Sequence, residues 1–97
     1  MEGRIAEAID ALTKAIDLNP SSATALNARG YGYLRQRKLD LALVDISKAI
    51  TLNPRYGNAY FNRAAIRKLN GDRDGAAQDL RQALSLGSVS LYTPPKH

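Results

Sequence analysis

The sequence predicts an all-α fold of about five helices, in helix-turn-helix pairs stacked side by side. Three observations predict it. The stretch AIDLNP at residues 15–20 returns as AITLNP at 49–54, 34 residues further on. Around each copy, apolar residues recur at spacings of three and four, the period of one face of an α-helix. Each such segment then stops at an Asn-Pro or a glycine, and proline cannot continue the backbone ladder.

In chain order, the first segment carries Ile5, Ala8, Ile9, Leu12, Ala15 and Ile16 and ends at Asn19-Pro20. The second, 23–37, reads as a helix through Leu26, Gly30 and Tyr33. A copy of the first follows, with Ala42, Ile46, Ala49 and Ile50, and ends at Asn53-Pro54. Residues 57–70 repeat the second segment with Tyr60 and Ala64. The last segment holds Ala76, Leu80, Ala83 and Leu84 and is stopped by Gly87. Asp40 and Asp74 stand at matching places ahead of the third and fifth segments, where a carboxylate is expected to cap exposed helix amides.

A period of 34 with small residues at fixed places resembles the tetratricopeptide repeat, and the resemblance extends to about residue 87. Residues 23–56 supply the family's pattern in full, through Leu26, Gly30, Tyr33, Ala42, Ala49 and Pro54. Residues 57–88 depart from it, with Arg67 in place of the tyrosine and Ser88 in place of the proline. Residues 1–22 match only the second half of a repeat, with Ala8, Ala15 and Pro20. The resemblance implies a short right-handed α-solenoid over 1–88, divided at 22 and 56, with an extended tail at 89–97. Stacked copies bury stripes that no single pair covers, and alanine at the contacts lets the helices approach closely.

With 97 residues the chain holds one small domain, which buries little more than about 60% of its unfolded surface. It has no cysteine, so disulfides and thiolate metal sites are excluded. Its longest apolar runs are far below the roughly 20 residues that span a bilayer, and a soluble, cytoplasmic product is expected. The net charge of +5 is unevenly placed. All acidic residues fall in the first, third and fifth segments or their leading turns, whereas the second and fourth carry Arg29, Arg35, Arg37, Lys38, Arg63, Arg67 and Lys68. Cations near helix C-termini meet the negative end of the helix dipole, so Arg35, Arg37, Lys38, Arg67 and Lys68 are equally readable as solvated ends or as partner contacts.

Arg29 and Arg63 have a more specific reading. Arg29 and Asp45 are equidistant from a turn near residue 37, and Arg63 and Asp79 from one near 71. An antiparallel hairpin therefore sets each pair side by side as a structural ion pair. The first segment has no such arginine before it, and at the register of Asp45 it holds Ala11.

For function, the resemblance implies a protein-interaction module whose first helices line a basic concave groove. The candidate groove residues are Asn27, Tyr31, Arg35, Asn58, Phe61, Asn62 and Lys68. Amides pair with a peptide backbone, and aromatic faces hold apolar side chains; Tyr31 and Phe61 serve equally as packing between repeats. Some members of the family hold a partner's C-terminus with a two-carboxylate clamp, but Asn27 and Asn58 stand where its lysines would be. No catalytic constellation, cofactor motif or metal cluster is present, and the one histidine is His97. The expected partner is a protein or peptide, acidic by preference. Nucleic acid is the rival through the basic residues with Tyr31 and Phe61, although the net charge is modest and no nucleic-acid motif occurs. The wide apolar arc of the first segment also predicts a homodimer through that end of the stack.

Overall fold

The computed structural model describes the backbone of residues 2–87, in which five helices follow one another: α1 (Glu2–Leu18), α2 (Ala23–Arg35), α3 (Leu39–Leu52), α4 (Gly57–Leu69) and α5 (Arg73–Ser85). Among the described residues there is no strand, and no helix is long and apolar enough to cross a membrane. The tail expected at 89–97 lies outside the described residues.

The repeated Asn-Pro does more than stop a helix. Asn19 Oδ1 accepts from the Ser21 amide and Asn53 Oδ1 from the Arg55 amide, each at 3.2 Å. The side chain thereby mimics a turn across the proline. Backbone bonds from Ser22 N to Asn19 O (3.2 Å) and Tyr56 N to Asn53 O (3.0 Å) close both corners. The other corner type joins α2 to α3 and α4 to α5. There Lys38 N reaches Tyr33 O at 2.9 Å and Asp72 N reaches Arg67 O at 2.8 Å. Such a corner needs a left-handed residue, which is Gly71 at φ 84° in one copy and Arg37 at φ 62° in the other. A side chain in that conformation costs about 1–2 kcal/mol, so the first corner is strained where the second is not.

Helix starts differ from the sequence expectation. Asp40 and Asp74 lie inside the first turns of α3 and α5, where they meet the helix dipole but do not cap. The cap of α5 is Asp72, whose carboxylate accepts from Gly75 N at 2.9 Å, and the corresponding residue of α3 is Lys38, which makes no side-chain cap. Asp72→Ala is accordingly expected to cost about 1 kcal/mol, read as a lower midpoint in urea unfolding.

The core runs through the stack as Leu26, Ala42, Ile46, Ala49, Ala59 and Ile66, all essentially without solvent contact. Small residues stand where helices come closest. A Cβ added at Gly30 would lie 2.6 Å from Ile46 Cδ1, and one at Gly32 would lie 2.9 Å from Ile9 Cγ1. Both glycines thus admit a neighbour's isoleucine. Helix α2 packs most closely on α3, and α4 on α5; α1–α2 and α3–α4 form the looser seams, and α2 also touches α4. On α5, Leu80 and Leu84 share the register of Ile46 and Ile50 yet stay exposed, since nothing among the described residues covers that side.

Candidate functional site

The charged residues of the A-type helices, α2 and α4, and of the corner after α2 separate into two groups. In the first group, Arg29 Nε donates to Asp45 Oδ2 at 2.7 Å and Nη2 to Oδ1 at 2.9 Å. Arg63 holds Asp79 in the same two-point way, at 2.9 Å and 2.9 Å. The carboxylates are 5% and 3% exposed, so these are ion pairs inside each helix pair. Hydrogen bonding to the carboxylate raises each arginine above its ordinary pKa against the opposing effect of burial. Arg29 and Arg63 also lie over the rings of Tyr33 and Tyr60, at 5.8 and 5.7 Å from the centroids. Thr13 Oγ1 accepts from Arg29 Nη1 at 3.2 Å, so the first pair reaches across to α1.

Arg67 joins this group. Its Nη1 donates to Asp79 Oδ2 at 2.9 Å, so Asp79 serves two arginines. The sequence contained the signal: Arg63 and Arg67 are one turn apart on a single helix face. In α2 the matching place is held by Tyr33, and Asp45 serves one arginine.

The second group is Arg35, Arg37, Lys38 and Lys68. Among the described residues none of these four has a carboxylate partner. Arg35 and Lys68 occupy the last turns of α2 and α4, and a cleft of about 250 Å³ between those ends is lined by Leu34, Arg35, Arg37, Ala65 and Leu69. Tyr31, which does not line this cleft, is 46% exposed, with the Arg35 guanidinium 5.9 Å from its ring centroid. Neither α2 nor α4 contains an acidic residue, so nothing on these helices offsets the cations except their own C-terminal dipoles.

The expected groove residues do not all come together. Tyr31 and Arg35 form one unit, and Lys68 is exposed at the same end of α4. Asn58 is exposed one helix length away, about 15 Å along the axis. Phe61 and Asn62 are half-buried. Asn27 is 8% exposed and engaged at both ends of its amide, with Nδ2 donating to Tyr56 Oη at 3.2 Å and Oδ1 accepting from Asn62 Nδ2 at 2.9 Å. It fastens α2 to α4 in place of facing outward. Tyr56 has no sequence signal for this role, because its partner lies 29 residues away in another repeat. Among the described residues no group of three or more His, Cys, Asp and Glu could hold a metal ion.

A succession of closely packed helix pairs, α2–α3 and α4–α5, with the same ion pair inside each, defines a helical repeat protein. Comparison with known proteins specifies which kind. A family model described as TPR repeat matches residues 2–37, and one described as Tetratricopeptide repeat matches 57–86. The chain belongs to the tetratricopeptide repeat family. It is 40% identical over 80 residues to Hsc70-interacting protein 1 of Drosophila melanogaster, covering 82% of this chain and 21% of that protein. Among solved structures, it superposes on the first TPR of Spaghetti (RPAP3) bound to HSP90 peptide SRMEEVD with a TM-score of 0.83 and 33% identity, covering 87% of this chain and 67% of the other. The second TPR of the same protein, bound to the same peptide, gives 0.83 and 30%, covering 88% and 79%. The chain thus spans about a fifth of the curated relative's length and most of a solved repeat domain.

Proposed function

We propose that the α2–α4 side binds an acidic segment of a partner polypeptide, without catalysis. The observation that carries this reading is the sorting of cations: Arg29, Arg63 and Arg67 are held by buried carboxylates, whereas Arg35, Arg37, Lys38 and Lys68 have no carboxylate partner among the described residues. Exposed cations, with Arg35 against the exposed ring of Tyr31, favour acidic residues by charge and flat or aliphatic side chains by contact. The peptide in the two superposed structures, SRMEEVD, is itself acidic toward its end, which supports the reading. Asn27 is withdrawn from the proposed contacts, and Tyr31, Arg35, Asn58, Phe61, Asn62 and Lys68 are retained. A cytoplasmic setting goes with the proposal, in keeping with a relative named for Hsc70.

Two A-type helices offer a short groove, so affinity is expected at about 1–100 μM. Titrating acidic, neutral and basic peptides against the labelled chain tests the reading. Acidic peptides should shift amides of Tyr31, Arg35 and Lys68, and binding should weaken as salt shortens screening to about 8 Å. Arg35→Ala with Lys68→Ala should abolish the preference for acid. Shifts confined to α1, α3 and α5, or equal binding of basic peptides, would overturn it.

A further inference from the structure

The corner between α2 and α3 keeps a residue that the fold by itself does not ask for. Arg37 and Gly71 hold the same place in successive repeats, 34 residues apart, and both are left-handed, at φ 62° and 84°. A Cβ added at Gly71 would meet nothing within 4 Å, so glycine is favoured there by its backbone freedom and not by lack of room. At Arg37 the same backbone carries a full side chain in a conformation that disfavours one.

No contact within the described residues offsets that strain. Arg37 is exposed, has no carboxylate partner among them and stacks on none of their rings. The dipole of α2 does not require it either. Arg35 already stands in the last turn of α2, and α4 meets its own dipole through Arg67 and Lys68 with glycine at the corner. Strain that the fold does not use gathers where a chain meets a ligand.

Arg37 stands at such a place. With Arg35 it lines the cleft of about 250 Å³ between the ends of α2 and α4, whose other walls, Leu34, Ala65 and Leu69, are apolar. Leu69 is 48% exposed there. Helices α2 and α4 already have their close partners, α3 and α5, so the cleft is a feature of the stacked pairs themselves. Two guanidiniums beside an apolar floor suit an aliphatic side chain with carboxylates next to it: the floor takes the aliphatic group out of water, and the acids meet the cations. Building on the acidic-segment reading of this side, we propose that Arg37 is a specificity-determining residue. It is kept in the left-handed corner to read a carboxylate beside an aliphatic residue of the partner, seated on Leu34, Ala65 and Leu69.

Binding and stability should move in opposite directions when Arg37 is changed. Arg37→Gly removes the guanidinium and the strain together, so the urea midpoint should rise by about 0.3–0.5 M. The same variant should bind the capped peptide GEELEEG at least about threefold more weakly, with smaller shifts at Ala65 and Leu69. Arg37→Lys keeps the charge and should bind it more tightly than Arg37→Gly does. Replacing the leucine, as GEEAEEG, should weaken binding to the native chain about tenfold. The uncharged GQQLQQG should bind the native chain and Arg37→Gly alike. Lower stability of Arg37→Gly would make the residue structural and overturn the proposal, as would unchanged affinity for GEELEEG or equal binding of GEEAEEG. In those cases the acidic-segment reading still stands if the Arg35→Ala, Lys68→Ala variant loses its preference for acid; if acidic peptides leave α2 and α4 unmoved, both fall. Shifts at Arg37 and Leu69 on diluting the chain alone, with no response to GEELEEG, would give the cleft to a second copy and overturn the proposal.

Discussion

Asp79→Ala is expected to lower stability by about 3–5 kcal/mol, the cost of leaving a buried charge without its partner. Asp79 is 3% exposed and answers two guanidiniums, so its removal strands Arg63 and leaves Arg67 only its longer contact with Asp72 at 3.9 Å. Asp45→Ala should sit toward the lower end of that range, since it strands Arg29 alone and Thr13 continues to accept from Nη1. Asp10 is exposed, and Asp10→Ala is expected to change stability by less than about 0.5 kcal/mol. In a domain of this size the Asp79 variant should melt lower by about 10 °C or more, and equal melting temperatures for all three variants would refute a structural role for the pairs. The pH dependence has a definite sign. Because the arginine pKa values are raised in the fold, the cationic partners contribute fully at every pH below the ordinary arginine range, and that contribution is lost only as pH climbs past it. Between about pH 6 and about pH 9 the arginines therefore give the Asp79→Ala penalty no slope.

Ile66→Ala is the second large effect, at about 2–5 kcal/mol. Ile66 is fully buried in the core at the α3–α4 seam, one of the three largest side chains with no exposure. The counterpart in α2 is Gly32, where Ile9 of α1 supplies the bulk from the other side. At this register the two seams are thus filled by an isoleucine from opposite partners. Truncating Ile66 leaves a cavity in the core shared by the two complete pairs, so the α4–α5 pair should unfold ahead of the rest. Urea unfolding should show an earlier and broader transition with a reduced slope, while a single sharp transition at the native midpoint would count against it.

The sequence disclosed the parts governed by local spacing. Helix order, the Asn-Pro corners and the Arg29–Asp45 and Arg63–Asp79 pairings all follow from the repeat and from equal distances about a turn. What it left hidden depends on contacts across seams. Asn27 reads as a polar residue free to meet a ligand, but its neighbours Tyr56 and Asn62 come from the next repeat and enclose it. The arrival of Arg67 at Asp79 was legible from helix periodicity, and the exchange of cap from Asp74 to Asp72 turned on a shift of two residues, within the ordinary uncertainty of helix boundaries. For the candidate site, charge segregation was visible from the start. Which cations remain free became visible only once the carboxylates were located.

The hydrogen-bonded seam has a mechanical consequence. Because contacts run almost entirely between elements adjacent in the chain, tension applied across the ends of the stack is borne by its joints in series. The closely packed pairs α2–α3 and α4–α5 are the stiff links, and the α1–α2 and α3–α4 seams are the compliant ones, the second assisted by the Asn27–Asn62 bond between α2 and α4. Bending is therefore expected at these two seams, and flexing at the α3–α4 seam would open or narrow the cleft between Arg35 and Leu69 without disturbing either ion pair, since both pairs lie inside the stiff links.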